Sequence, residues 1–198
     1  MISRIDEINR LWEPVYPHLA RHVAEIYGRR EGSVLEAGPF CGVIYDLARQ
    51  GVGDFFRIAS FPSGMQDFYR FETRKKQMED TVDVIGSTPS LGGIEDGSVD
   101  LVVFRGALFF PELFRVDYGA ILRVLREGGV AFVGGGFGKY TPAETIAAIG
   151  ERSREMNLLI GKTDVKPEEI RRDLSRQNLA GQVDVVTEGG LWVVIKKP

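Results

Sequence analysis

The sequence has few of the residues that build disulfide frameworks and metal sites. Its 198 residues include one cysteine, Cys41, and two histidines, His18 and His22. A single cysteine cannot form an internal disulfide, and a zinc site needs at least three protein ligands. The sequence therefore predicts no disulfide and no metal centre.

Long apolar segments are also lacking. The longest, Leu101–Phe114, is interrupted by Arg105, Pro111 and Glu112 and falls short of the roughly 20 residues that a membrane-spanning helix needs. The N-terminal segment becomes acidic at Asp6 and has no apolar core of the kind found in secretion signals. These features predict a cytoplasmic protein that makes no membrane contact.

The numbers of basic and acidic residues are nearly equal. The chain has 25 basic and 28 acidic residues, a formal net charge of −3, and 43% hydrophobic residues. This balance gives no general attraction to the phosphates of nucleic acids, and the hydrophobic fraction excludes intrinsic disorder. We expect one globular domain, residues 1–198, that is monomeric or homodimeric and binds a small molecule rather than nucleic acid.

What the sequence does contain is a regular alternation of strand and helix patterns. The predicted strands are Ser33–Ala37, Phe55–Ser60, Thr81–Gly86, Val99–Phe104, Gly129–Gly134, Val183–Thr187 and Leu191–Lys196. Several are continuously apolar, as in parallel sheets that are covered on both faces. The pattern predicts an α/β fold with a seven-stranded, mostly parallel sheet, helices on both faces and an antiparallel hairpin at the C-terminus.

Helical patterns lie between and before these strands. The predicted helices are Val43–Gln50, Met65–Met78 capped by Ser63, Val116–Arg126, a helix that Thr141 opens with a capping box, and one that opens at Pro167. The segment Ile5–Tyr27 is expected to be helical on both sides of an interruption at Pro14 and Pro17.

The segment Ser33–Gly42 carries the clearest indication of a ligand site. An apolar strand runs through Glu36 into a turn that contains Gly38 and Gly42, and a helix follows. Glycine lets the backbone approach a ligand closely, and a helix N-terminus offers free N–H groups. A carboxylate at Glu36 would repel a pyrophosphate, so the residues favour a nucleoside-like ligand with a positively charged group.

This segment resembles motif I (acidic-x-Gly-x-Gly-x-Gly) of the class I S-adenosylmethionine-dependent methyltransferases, of the type 11/25 kind. Glu95–Val103 is similar to the segment that leads into the family's fourth strand. Ile121–Gly129 resembles the helix and turn before the family's fifth strand, and the terminal hairpin resembles its reversed last strand. The resemblance extends from Ser33 to Lys197. It implies a Rossmann-like core at residues 31–198, a helical lid at residues 1–30, S-adenosylmethionine as cofactor and S-adenosylhomocysteine as product.

The resemblance also implies the residues of the site. The cofactor contacts would be Glu36, Gly38, Pro39, Phe40, Gly42, Ser60, Phe61, Ser87, Thr88 and Arg105. The candidates for the substrate pocket are Trp12, Tyr16, His18, His22, Phe109 and Phe110. No catalytic residue is assigned, because the sulfonium already activates the methyl group and the protein chiefly aligns the reactants.

Three departures from the family pattern affect this predicted site, two of them at its nucleoside end. Phe40 replaces the middle glycine of motif I, Ser60 stands where the family has an acidic residue for the ribose, and Ser87–Thr88 replace an acidic residue for the adenine. Each loss of a charged acceptor costs about 1–3 kcal/mol of binding.

Other interpretations stay open at this stage. Glu36 would also serve to cap the following helix, Cys41 suits packing better than catalysis, and Arg105 would meet either a ligand or a protein carboxylate. Besides methyl transfer to a small molecule, the sequence allows a non-catalytic protein that binds a metabolite or a partner. Nicotinamide-dependent oxidoreduction is disfavoured, since its Gly-x-Gly-x-x-Gly fingerprint is missing.

Overall fold

In the computed structural model, which describes residues 2–177, 179 and 181–198, seven strands form one sheet in the order β3-β2-β1-β4-β5-β7-β6. The strands are β1 (Ser33–Ala37), β2 (Phe55–Ser60), β3 (Val82–Gly86), β4 (Val99–Arg105), β5 (Leu125–Gly135), β6 (Gln182–Val186) and β7 (Leu191–Lys196). Strands β1 to β5 are parallel, and β7 is antiparallel to both β5 and β6. The predicted α/β fold with a C-terminal hairpin is confirmed.

The helices flank this sheet. They are α1 (Ile2–Leu11), α2 (Tyr16–Tyr27), α3 (Val43–Arg49), α4 (Met65–Lys75), α5 (Tyr118–Val124), α6 (Ala143–Leu159) and α7 (Pro167–Arg176). A short 3-10 turn, Glu13–Val15, joins α1 to α2. The interruption expected at Pro14 and Pro17 is therefore present, and each proline lies in the first turn of its helix, where no N–H is needed. No helix in the described part of the chain is long and apolar enough to cross a bilayer.

Two predicted N-cap residues are wrong. Gly64, not Ser63, is the N-cap of α4, and no side chain caps that end. Pro142 is the N-cap of α6, because the Thr141 hydroxyl donates instead to the Phe137 carbonyl. In both cases a hydroxyl residue stands before the helix without capping it, and the Thr141 hydroxyl bonds to the backbone of its own loop four residues earlier.

The fourth and fifth strands differ from the prediction at their ends. Strand β5 begins at Leu125, whereas the sequence predicts that the preceding helix continues to Arg126. The pairing of β5 with β4 shifts register between Val99 and Leu101. Residues that the sequence assigns to the last turn of the helix thus belong to the start of β5, where the pairing with β4 is irregular. The helix and strand propensities of these residues do not predict such a pairing.

The strand order places a crevice beside β1 and β4. The chain builds β1, β2 and β3 outward in one direction and then returns to lay β4 on the other side of β1. All seven residues of β4 are buried, so both faces of the sheet are covered at its centre. In sheets of this kind, ligands bind where the strand order reverses, at the carboxyl ends of the strands. Those ends carry Gly38 after β1 and Arg105 on β4.

The predicted N-terminal lid forms part of the core. Ile5, Ile8, Val15 and Leu19 are fully buried, α1 packs against α6, and α2 packs against α3 and β5. Met1, the first residue of the predicted lid, lies outside the described residues. This segment covers the carboxyl edge of the sheet near Arg105 and so contributes side chains to the site.

Candidate functional site

The turn between β1 and α3 is organised by Glu36. Its carboxylate is fully buried and accepts hydrogen bonds from the backbone N–H groups of Gly42 (2.8 Å), Ile44 (2.9 Å) and Val43 (3.3 Å). Burial raises the pKa of Glu36 to about 7, while the N–H bonds from Gly42 and Ile44 and the charge of Arg105 act against that rise. The carboxylate caps α3, the role that the sequence left open beside cofactor contact.

Protein groups occupy the rest of the turn. The Pro39 carbonyl accepts hydrogen bonds from Asn9 (2.9 Å) and from the Tyr69 hydroxyl (2.7 Å). Gly38 has a φ of +103°, and a Cβ added there would lie 2.6 Å from the Phe104 ring. Cys41 is buried, its thiol donates to the Gly38 carbonyl, and burial raises the pKa of the thiol well above the usual range, which are features of a packing residue.

The carboxyl end of β2, where the resemblance places the nucleoside, is also filled. The Ser60 hydroxyl is buried and donates to the Ile85 carbonyl at 3.0 Å. The Phe61 ring meets the rings of Phe104 and Phe114 edge-on, with centroids 5.6 and 5.7 Å away, and all three rings are buried. We call Phe61, Phe104 and Phe114 the Phe cluster.

Ser87 and Thr88 lie just beyond β3. The Ser87 hydroxyl donates to the Gly92 carbonyl at 2.9 Å, and the Thr88 hydroxyl lies 2.8 Å from that of Ser90. Both side chains are tied to their own loop. Their assignment as cofactor contacts stays a prediction.

Arg105, at the end of β4, is a buried cation. Its side chain donates from Nε to the Phe40 carbonyl (2.9 Å) and from Nη2 to Asn9 Oδ1 (3.0 Å) and the Tyr16 hydroxyl (2.8 Å). The guanidinium carbon lies 4.9 Å from the Trp12 ring centroid and 5.0 Å from that of Tyr16. Within the described residues no carboxylate forms a salt bridge with it, although a buried charge is normally paired.

Beside Arg105 lies a cavity of about 360 Å3, which we call the Arg105 cavity. Its aromatic wall consists of Trp12, Phe40, Phe109, Phe110 and Phe137. Its polar wall consists of Arg105, Ser153, Arg154, Asn157, Lys162 and Asp164. A larger depression of about 760 Å3 lies around Ser33, Asp54 and Arg126, at the amino ends of the strands, where sheets of this type do not bind ligands.

The predicted substrate-pocket residues separate into two groups. Trp12, Phe109 and Phe110 line the Arg105 cavity, and Tyr16 reaches it indirectly through its hydrogen bond to Arg105. His18 and His22 are not among its lining residues. His22 is buried against Phe132, and its pKa is lowered by burial and then by Lys139. The described residues also bring no three His, Cys, Asp or Glu side chains together as a metal site.

Comparison with known proteins shows likeness in structure. No protein-family model and no curated protein matches the sequence. A protein of Methanococcus maripaludis, provisionally assigned as an S-adenosyl-L-methionine-dependent methyltransferase, superposes with a TM-score of 0.79 at 23% identity, over 99% of this chain and 91% of that chain. A methyltransferase dependent on the same cofactor from Aquifex aeolicus gives 0.62 at 16% identity, over 99% and 97%.

The chain has the class I methyltransferase fold. A third structure, the geranyl diphosphate C-methyltransferase of Streptomyces coelicolor A3(2), agrees, with a TM-score of 0.59 at 14% identity over 90% of this chain and 74% of that chain. Likeness at these identities establishes the fold, whereas function has to be argued from the site.

Within this methyltransferase fold, α6 forms a wall of the cavity that the sequence did not predict. Gly150, Ser153, Arg154, Asn157 and Leu158 line it from α6. Their spacing of three and four residues places them on one face of the helix. The polar residues on that face could have indicated a cavity from the sequence, because a helix face that only packs against a sheet is apolar.

Proposed function

We propose that the protein transfers a methyl group from S-adenosylmethionine to a small molecule bound in the Arg105 cavity. One observation carries this proposal. A glycine turn and a cavity with aromatic walls lie next to each other, at the point where the strand order of a methyltransferase fold reverses. The S. coelicolor enzyme supports it, since it has been crystallised with S-adenosyl-L-homocysteine and geranyl diphosphate together. When bound, the cofactor supplies a methyl group that its sulfonium has already activated.

The described side-chain positions do not fit the cofactor's nucleoside. Ribose hydroxyls need acceptors, yet Ser60, which the resemblance places at the ribose, is buried and donates to the Ile85 carbonyl. The ring of Phe104 covers Gly38, where the resemblance places the cofactor. Cofactor binding at this turn therefore requires the Phe cluster to open.

A titration of S-adenosylhomocysteine into the wild-type protein and two variants tests this proposal. Opening the cluster breaks the contacts of Phe104 with Phe61 and Phe114, and such aromatic pairs contribute about 0.5–1.5 kcal/mol each. Phe104→Leu removes that cost, so we expect binding by the wild type and about tenfold tighter binding by the variant. Phe132→Leu, an equally buried ring that stacks on Trp192, is the matched control and should bind as the wild type does.

A second candidate function is favoured by the closed Phe cluster. A protein that kept the methyltransferase fold but filled the nucleoside site with its own rings would bind a metabolite in the Arg105 cavity without transferring a methyl group. No binding of S-adenosylhomocysteine to the wild type or to Phe104→Leu, with both folded, would support this candidate and overturn methyl transfer.

A further inference from the structure

We propose that the Arg105 cavity binds a planar, apolar molecule that carries a single carboxylate, with the carboxylate against Arg105 and the ring between the aromatic walls. This inference deepens the proposed function, on which it rests, by naming the chemical class of the methyl acceptor. It also has a test that needs no cofactor.

The unpaired charge of Arg105 is the first observation. An arginine side chain keeps its charge at every ordinary pH, yet no carboxylate among the described residues forms a salt bridge with Arg105. Its charge acts on the nearby Glu36 carboxylate, but the oxygens of that group accept N–H bonds from the start of α3 and no bond from the guanidinium. The three hydrogen bonds of Arg105 use its Nε and Nη2 and leave the two N–H groups of Nη1. An anionic ligand would supply the missing partner, and a carboxylate suits the planar guanidinium.

The shape and chemistry of the walls are the second observation. Trp12 and Phe137 stack almost parallel, with centroids 4.8 Å apart and planes 8° apart, and Phe40 and Phe110 meet at the same centroid distance. Flat aromatic walls favour a flat apolar ligand. A volume of about 360 Å3 is near the lower end for small-molecule sites, which suits a ligand of one or two rings.

The polar wall supplies a second anchoring point. Ser153 Oγ accepts hydrogen bonds from Trp12 Nε1 (2.8 Å) and Asn157 Nδ2 (3.1 Å), which leaves its own hydroxyl hydrogen to donate. The oxygen of the Asn157 amide forms none of the side-chain hydrogen bonds within the described residues. It can accept a hydrogen bond from a hydroxyl or amino substituent on the ring.

A carboxylate fits better than a phosphate monoester. Arg105 is a buried cation of the cavity, whereas Arg154 is exposed and Lys162 is half-buried with its ammonium over the Phe109 ring. One enclosed cation balances one negative charge, and a phosphate monoester carries nearly two. Lys162 and Arg154 would attract an anion on its approach rather than hold it.

The test compares 2-naphthoate, 2-naphthamide and 2-naphthyl phosphate, titrated without cofactor into the wild-type protein. These three probes share the same rings and differ in charge. We expect the carboxylate to bind at least tenfold more tightly than the amide and more tightly than the phosphate. Equal binding of acid and amide, binding of none of them, or tighter binding of the phosphate would each overturn the proposal.

Variants then assign the effect to Arg105. In Arg105→Met the preference for the acid over the amide should disappear, and in Arg105→Lys it should be intermediate. Arg126→Met, which removes a half-exposed cation paired with Asp100 at the opposite end of the sheet, should retain the full preference. Persistence of the preference in a folded Arg105→Met would overturn the assignment. The comparison of probes in the wild type decides the proposal even if that variant does not fold.

A titration of 2-naphthoate in the presence of S-adenosylhomocysteine separates this inference from the proposed function. Simultaneous binding supports both. Binding of naphthoate alone supports the cavity and overturns methyl transfer. Binding of S-adenosylhomocysteine in competition with naphthoate overturns the inference but not methyl transfer, because Arg105 would then hold the carboxylate of the cofactor.

Discussion

Two regions at the carboxyl edge of the sheet use aromatic rings in opposite ways. On one side, Phe61, Phe104 and Phe114 fill the space beside the Gly38 turn with mutual ring contacts. On the other, Trp12 and Phe137 stack as one wall of the Arg105 cavity, which stays open. The same residue types therefore form a closed core in one region and a lining in the other.

The difference arises within two consecutive residues of β4. Side chains alternate between the two faces of a strand, so Phe104 and Arg105 point in opposite directions. Phe104 packs on Gly38, whereas Arg105 reaches the cavity and is held by Asn9 and Tyr16 from the N-terminal helices. The apolar side chain fills its side of the strand completely, whereas the guanidinium on the other side borders a cavity.

The largest expected effect tests how tightly the Phe cluster packs against the Gly38 turn. Gly38→Ala forces a residue with a side chain to φ +103° and places its Cβ 2.6 Å from the Phe104 ring. Backbone strain and overpacking each cost about 1–3 kcal/mol, so unfolding in urea should show a loss of about 4 kcal/mol.

The matched control is Gly93→Ala, at φ +84° with no atom within 4 Å of the added Cβ. It bears only the backbone strain and should lose about 1–2 kcal/mol. Equal losses of stability at both positions would mean that the Phe104 ring moves away from the added Cβ at little cost. The Phe cluster would then not be more tightly packed than the Arg105 cavity.

A smaller effect tests whether Glu36 holds the closed turn as a buried acid. Its pKa is raised from 4.5 to about 7 in the folded protein, chiefly by burial. An acid that binds its proton more tightly when folded stabilises the fold below its unfolded pKa, and that contribution is lost as the pH rises through the folded pKa. Between about pH 4.5 and pH 7 the loss should reach about 3 kcal/mol.

Urea unfolding of the wild type and of Glu36→Gln across this pH range measures the effect. The glutamine does not titrate, so the wild type should lose stability relative to the variant as the pH rises. A wild type that instead gains relative stability would show that the N–H bonds of α3 outweigh burial and hold the pKa of Glu36 below its ordinary value.

The smallest effect concerns the open region. Trp12→Phe keeps a ring opposite Phe137 but removes the hydrogen bond from the indole to Ser153. We expect a loss of about 1 kcal/mol in the free energy of unfolding. A double-mutant cycle with Ser153→Ala should assign that amount to the pair, whereas zero coupling would show that the bond adds nothing to the stability of the cavity wall.

Much of the fold could be predicted from local patterns. The bounds of β1, β2 and β7 are as predicted. In β1 and β7 nearly every residue is buried and most are apolar, whereas β2 exposes Phe55 and Arg57 and is buried without interruption only in its second half. The caps of α4 and α6 were predicted wrongly, since a hydroxyl can bond to a neighbouring loop as easily as to its own helix.

The candidate site was predicted only in part. Arg105, Phe109 and Phe110 stand out as a charge and aromatic rings at the end of an apolar strand, and all three line the cavity. The wall formed by Ser153 and Asn157 was missed, because these residues are distant in sequence and meet the rim only after α6 docks on α1.

The sequence by itself determined the order of the elements, the single reversed strand and the position of the glycine turn, because these depend on periodicity and on residues a few positions apart. Tertiary structure alone decided that Glu36 faces α3, that Phe104 closes over Gly38 and that no carboxylate among the described residues forms a salt bridge with Arg105. Each of these outcomes depends on which groups from distant segments lie beside a side chain after packing. The local sequence around that side chain does not contain this information.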